Sequence, residues 1–191
     1  MPANGAANVV SRGPSRPAVG ISFEIAALAA SCLLSLIVPG GLVYAAYLIV
    51  LELSATYLVH CPAHYLAGMA LGIRFRRIRF GRTTLARVLP ARAAGLARFL
   101  PVLTLSVEKG SLGLVSRRRA SAMYAAGTVA SVLVAFMIAL VSLWVEPLGF
   151  AALTWAVALG YLAFDVVFSP KSGDLMRARA VYERAPTVTS A

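Results

Sequence analysis

Acidic residues are scarce in this chain: seven Asp and Glu stand against 18 Lys and Arg in 191 residues. Histidine and cysteine occur only twice each. Two cysteines, Cys32 and Cys61, both inside apolar stretches, build no disulfide framework and leave the redox compartment undecided. Charged residues of either sign make up 13% of the chain, about half the share of a soluble globular domain. What is abundant is apolar: 60% of the residues are hydrophobic and the mean hydropathy is +0.81. These values exclude a disordered tail protein, argue against a soluble globular domain, and leave a polytopic membrane protein. The net charge of +11 would suit a nucleic-acid partner. A nucleic-acid role, however, needs an aromatic-bearing soluble surface, and the sequence supplies none.

Four apolar stretches predict four transmembrane helices: Ile21 to Val38, Leu42 to Leu71, Ser121 to Val145, and Leu148 to Phe168. Each is at or near the ~20 residues that cross a ~30 Å hydrocarbon layer at 1.5 Å per residue. The connections Pro39-Gly40-Gly41 and Glu146-Pro147 leave room only for tight turns, so the expected architecture is all-α, with two helical hairpins. Of the 18 basic residues, two precede the first stretch (Arg12, Arg16), twelve lie between the second and third, and four follow the last. With four spans these segments share one side, and the positive-inside rule puts both termini and the middle loop in the cytoplasm. A cleaved signal peptide is the competing reading of the first stretch. Its 20-residue polar leader weighs against that.

The expected organisation is a disordered tail over 1–20, a first hairpin over 21–72, a basic cytoplasmic loop over 73–120, a second hairpin over 121–168, and a cytoplasmic segment over 169–191. In the loop, Ile73 to Phe80 alternates apolar residues with Arg, with one slip at Arg76-Arg77, which predicts a short bulged strand. Leu103 to Val107 reads as a second strand, with Glu108-Lys109-Gly110 as its turn. Ala91 to Leu100, between Pro90 and Pro101, reads as a short amphipathic helix at the membrane surface. The arginines hold the loop inside and attract anionic lipid, each contributing about 1 kcal/mol near the surface. The tail from Pro186 is expected to be disordered.

The two histidines are four residues apart, in His60-Cys61-Pro62-Ala63-His64. On a helix that spacing places both imidazoles on one face, where they can grip one metal ion. Hydrogen bonding at the headgroup level is the plainer use of such a pair. Pro62 removes a helical hydrogen bond and kinks or loosens the helix, which a membrane tolerates where protein or water surrounds it. A third ligand would be a carboxylate. Glu24, Glu108, Glu146 and Glu183 fall at span ends or in loops and tails, which leaves Glu52, Asp165 and Asp174. Asp165 lies inside the fourth span, where an ionisable group is costly and marks function. Asp174 shares the cytoplasmic depth of the histidines, although capping the helix that follows it is an alternative use. Glu52, two turns before His60, is expected to pair with a polar group of another helix.

These residues resemble the site-2 protease family of intramembrane zinc metalloproteases. The stretch from His60 to Ile78 is similar to that family's H-E-x-x-H helix running into a G-I/V-x-h-x-x-I strand, h being apolar. Ala125-Ala126-Gly127-Thr128-Val129-Ala130-Ser131 resembles its A-G-P-x-x-N segment, and Asp165 to Asp174 its N-x-x-P…D-G element. The matches occur in family order and cover most of residues 42–180. The resemblance implies zinc held by His60, His64 and Asp174, and a transmembrane peptide or protein as substrate or partner.

The departures bear on mechanism. Cys61 stands where the family has its catalytic Glu, Thr128 and Ser131 replace Pro and Asn, Asp165 replaces Asn, and the Asp-Gly order appears as Gly173-Asp174. A thiol is about two bonds shorter than a glutamate side chain and does not reach the attacking water at the same angle. Next to zinc it would turn towards being a ligand. Losing a general base typically slows such a reaction 10²–10⁴-fold. The expectation is therefore an integral membrane zinc-binding protein, proteolytically impaired or inactive, that binds transmembrane partners. The alternatives are an active protease with a displaced base, Glu52 or Asp165, and a metal transporter or other metal-binding membrane protein. The Gly127 and Ser131 pair is expected to be a close helix-packing face rather than part of a site.

Overall fold

The computed structural model describes residues 17–38, 40–82 and 101–183. Helix α1 (Pro17–Leu34) opens on a proline, whose fixed φ and missing N–H suit the first helical position. Residues 17–20 are thus helical, contrary to the tail expected over 1–20, and the rest of that tail lies outside the described residues. The apolar run beyond Leu34 turns through i→i+3 hydrogen bonds at Ser35, Leu36 and Ile37 instead of extending the helix to Val38.

Helix α2 (Leu42–Ala70) runs 29 residues, about 43 Å at 1.5 Å each, with Pro62 inside it. Its end is set by Gly72, at φ +82°, which lets the Gly72 N–H reach the Met69 carbonyl and the Ile73 N–H reach the Gly68 carbonyl at 2.8 Å. This left-handed cap satisfies carbonyls the helix would leave open, and Ile73 is fully buried beneath it. The chain then enters β1 (Phe75–Arg82), antiparallel to β2 (Pro101–Val107). The register slips between Phe75 and Arg77, where the Arg-Arg pair breaks the alternation. The sheet lies against α1 and α2: Ile78 packs with Ile21 and Cys61, and Phe75 lies so close to Gly68 that any Cβ there would collide with its ring.

Glu108 to Gly110 is not a free turn. Glu108 precedes a short helix, α3 (Lys109–Leu114), and its N–H donates to the Arg74 carbonyl. Helix α4 (Arg117–Val145) begins four residues before the expected span, because Ser116 caps it by accepting from the Arg119 N–H. Arg117 to Arg119 therefore form its first turn. Helix α5 (Leu148–Ser172) continues past Phe168 and through Pro170, and the expected break contracts to Gly173 before α6 (Asp174–Glu183). The surface helix expected over 91–100 and the tail from Pro186 lie outside the described residues.

Four helices, α1, α2, α4 and α5, are long and apolar enough to cross a membrane. Their outer faces carry exposed Phe23, Val50, Leu133, Leu140 and Val166, far more apolar surface than a water-facing bundle presents. Helix α4 packs on α2, α5 and α6. Its stripe Gly127, Ser131, Ala135 and Ala139 recurs every four residues and is buried, so the backbones approach closely without bulky side chains. Ser142 and Thr154 bridge α4 and α5 by a hydroxyl–hydroxyl bond of 2.6 Å; one hydroxyl gives its proton across the helices, and the other accepts it while donating to a carbonyl of its own helix, Ala139 for Ser142 or Ala151 for Thr154.

Candidate metal centre

The i, i+4 spacing on α2 brings the His60 and His64 rings edge to face, with centroids 4.8 Å apart. Asp174, the first residue of α6, reaches across to them. Its Oδ2 lies 2.8 Å from His60 Nε2 and 3.0 Å from His64 Nε2, and the two Nε2 atoms are 3.3 Å apart. The three residues singled out from the sequence thus meet in one place, with donor atoms able to hold a metal ion. The site is half open: the His60 side chain is 32% exposed, against 10% for His64 and 17% for Asp174.

What stands behind the rings decides what their inner nitrogens can do. His64 Nδ1 donates to the Met123 carbonyl at 2.8 Å, a partner that can only accept. The Ser131 hydroxyl gives its proton to the Thr56 carbonyl at 2.7 Å, so it accepts from His60 Nδ1 at 3.1 Å. Both neutral rings are therefore fixed with the proton on Nδ1, and both Nε2 lone pairs point at the same carboxylate oxygen. Three acceptors at such distances repel one another unless a cation stands among them, either protons on the rings or a metal ion. Burial raises the cost of charge on Asp174, but once the rings carry protons on Nε2 their hydrogen bonds and charge outweigh it and hold the carboxyl well below the usual carboxylate range. The second oxygen, Oδ1, is 3.7 Å from the half-exposed Arg177 guanidinium.

Close packing at one glycine brings the helices near enough for this. A Cβ on Gly127 would lie 2.2 Å from His64 Nε2, so the ring rests on bare backbone of α4. Gly127 and Ser131 were expected to be a packing face and no more. Ser131 is in addition the hydrogen-bond partner of His60, and Tyr161 of α5 lies beside Ser131. Neither polar role could be read from residue types; the four-residue step from Gly127 to Ser131 matching that from His60 to His64 was the available signal.

The remaining predicted residues fall elsewhere. Cys61 packs with Ile21 and Ile78, beside Tyr65 and Leu105, and is not among the residues whose donor atoms converge. Asp174 is not the cap of α6: Ser169 Oγ accepts from the Leu175 N–H at 3.3 Å while the Asp174 carboxylate faces the rings. Glu52 is fully buried, but it does not pair with a polar group of another helix; neither of its oxygens has a hydrogen-bond partner among the described residues. Glu24, read as a span-end residue, is buried in the same way on α1, within electrostatic reach of Cys61. Asp165 lies within electrostatic reach of both His60 and Asp174.

Compared with family models, with curated proteins and with solved structures, the chain matches none.

Proposed function

We propose that this chain is an integral membrane zinc-binding protein of the site-2 protease type, impaired in peptide hydrolysis by the usual route, that binds transmembrane segments of partners. The observation that carries the reading is the convergence of two Nδ1-protonated imidazoles and one carboxylate oxygen on a common point. Two nitrogens and a carboxylate oxygen are a zinc donor set that leaves a fourth position open. Tetrahedral bonds of about 2.0–2.1 Å put donor atoms about 3.3 Å apart. The Nε2 atoms have that separation, and the oxygen needs to retreat only by tenths of an ångström. The carbonyl and hydroxyl behind the rings are the outer partners that orient metal-binding imidazoles.

Bound zinc would supply a Lewis acid and lower the pKa of a water at the open position. The residues do the positioning: Met123 and Ser131 aim the rings, and Asp174 brings α6 to them. Position 61 holds a thiol packed in an apolar cluster, so the carboxylate that would take a proton from that water is missing there. In the proposed arrangement α1 with α2 and α4 with α5 form two hairpins, and the basic segments put both termini and the middle loop in the cytoplasm. Anionic lipid would meet the arginines of that loop.

The test is zinc stoichiometry on the purified full-length chain in detergent, with and without His64→Ala. One zinc per chain, lost in the variant, is expected. An unaltered chain that binds no zinc, or a variant that keeps it, overturns the reading. Cys61→Glu is expected to raise cleavage of a model transmembrane substrate at least tenfold over the unaltered chain, as a carboxylate at the usual position adds to general-base catalysis. Equal rates would remove the argument from position 61.

A further inference from the structure

We infer that Asp165 takes over the proton transfer that position 61 cannot perform; the inference rests on the zinc-centre reading above. Tyr161, Asp165 and Ser169 recur every four residues and so form one stripe along α5. The two outer members both lie beside the centre's supports. Tyr161 lies near Ser131, which holds His60, and Ser169 Oγ accepts from the N–H of Leu175, the neighbour of Asp174. A residue between them on the same stripe faces the space they bracket, and Asp165 is within electrostatic reach of His60 and Asp174. Its Oδ2 is buried and has no hydrogen-bond partner among the described residues.

Asp165 is not in the group of converging donors, so it stands outside the metal's own bonds, where an acceptor for a water proton belongs. The other buried acids are placed less well. Glu52 lies eight residues before His60, about 12 Å along the helix, and Glu24 faces Cys61 from the α1 side.

In the step this allows, Asp165 Oδ2 would take one proton from the attacking water as that water's oxygen bonds to the peptide carbonyl carbon. The carbon–nitrogen bond then breaks, and the same carboxyl returns the proton to the leaving amine. One water is consumed, and an acid and an amine result.

The test uses the zinc-loaded full-length chain in detergent with a model transmembrane substrate, under long single-turnover incubation. Slow cleavage by the unaltered chain is expected, falling at least 10²-fold in Asp165→Asn while zinc stays at one per chain. In a Cys61→Glu background the same substitution is expected to cost less than tenfold, because a carboxylate is then supplied from α2. A purely structural role for Asp165 would move both backgrounds alike. Binding of acetohydroxamate to the zinc-loaded protein gives a readout without turnover, and Asp165→Asn should weaken it about tenfold through one lost charged hydrogen bond. With zinc bound, absence of cleavage, equal losses in both backgrounds, or unchanged acetohydroxamate affinity each overturns the role of Asp165 and leaves the zinc centre standing. An unaltered chain without zinc overturns the centre itself, and this inference with it.

Discussion

Adding one methyl group at Gly127 should be enough to dismantle the centre. A Cβ there would lie 2.2, 2.6 and 2.7 Å from His64 Nε2, Cδ2 and Cε1, where ordinary contact begins at 3.4 Å. The ring would have to retreat by about 1.2 Å, while zinc–nitrogen bonds tolerate only about ±0.2 Å. It cannot simply swing aside, because its Nδ1 is held by the Met123 carbonyl at 2.8 Å. If the helices part instead, the bond from Ser131 to the Thr56 carbonyl is lost. Gly127→Ala is therefore expected to weaken zinc at least 100-fold in a chelator competition, and to cost about 1–3 kcal/mol of stability as an overpacked contact. Gly149→Ala is the matched control: nothing lies within 4 Å of a Cβ there, and zinc binding should be unchanged. Undiminished zinc affinity in Gly127→Ala would refute the close approach of α4 to His64, and with it the site's geometry.

Ser131→Ala removes the acceptor behind His60 and is expected to lower zinc affinity 10–100-fold with no loss of stoichiometry at saturating metal, measured by the same competition. Cys61→Ala should leave zinc affinity within threefold, since the thiol lies outside the converging donors; a larger loss would make it a ligand. Arg177→Gln should also change affinity by less than threefold, because its contact with Asp174 is 3.7 Å long and half exposed.

The histidine pair and the bulged strand were legible because each rests on local chemistry: a four-residue step and an alternation with one slip. Asp174 was legible through its depth in the expected topology and through the family resemblance. Glu24 was not, because position along a hydrophobic run says nothing about which side of the helix faces a neighbour. Tyr161 and Ser131 were missed for a related reason. Their roles depend on packing between helices far apart in sequence, and hydroxyls inside apolar runs read equally well as bonded to their own helix. The continuation of α5 through Pro170 shows tertiary contacts overriding a local breaker. The cost is one helical hydrogen bond, which Pro170 cannot donate because it has no N–H.

The donors at this centre lie 110 and 114 residues apart in the chain. An ion gripping them would act as a clasp, fastening α6 to α2 much as a covalent cross-link would. Closing a loop of that size in the unfolded chain is worth about 4.7 kcal/mol of entropy in the cross-link model. Stripping the ion should thus loosen α6 before anything else, and a protease added from that side would find the Gly173 joint first.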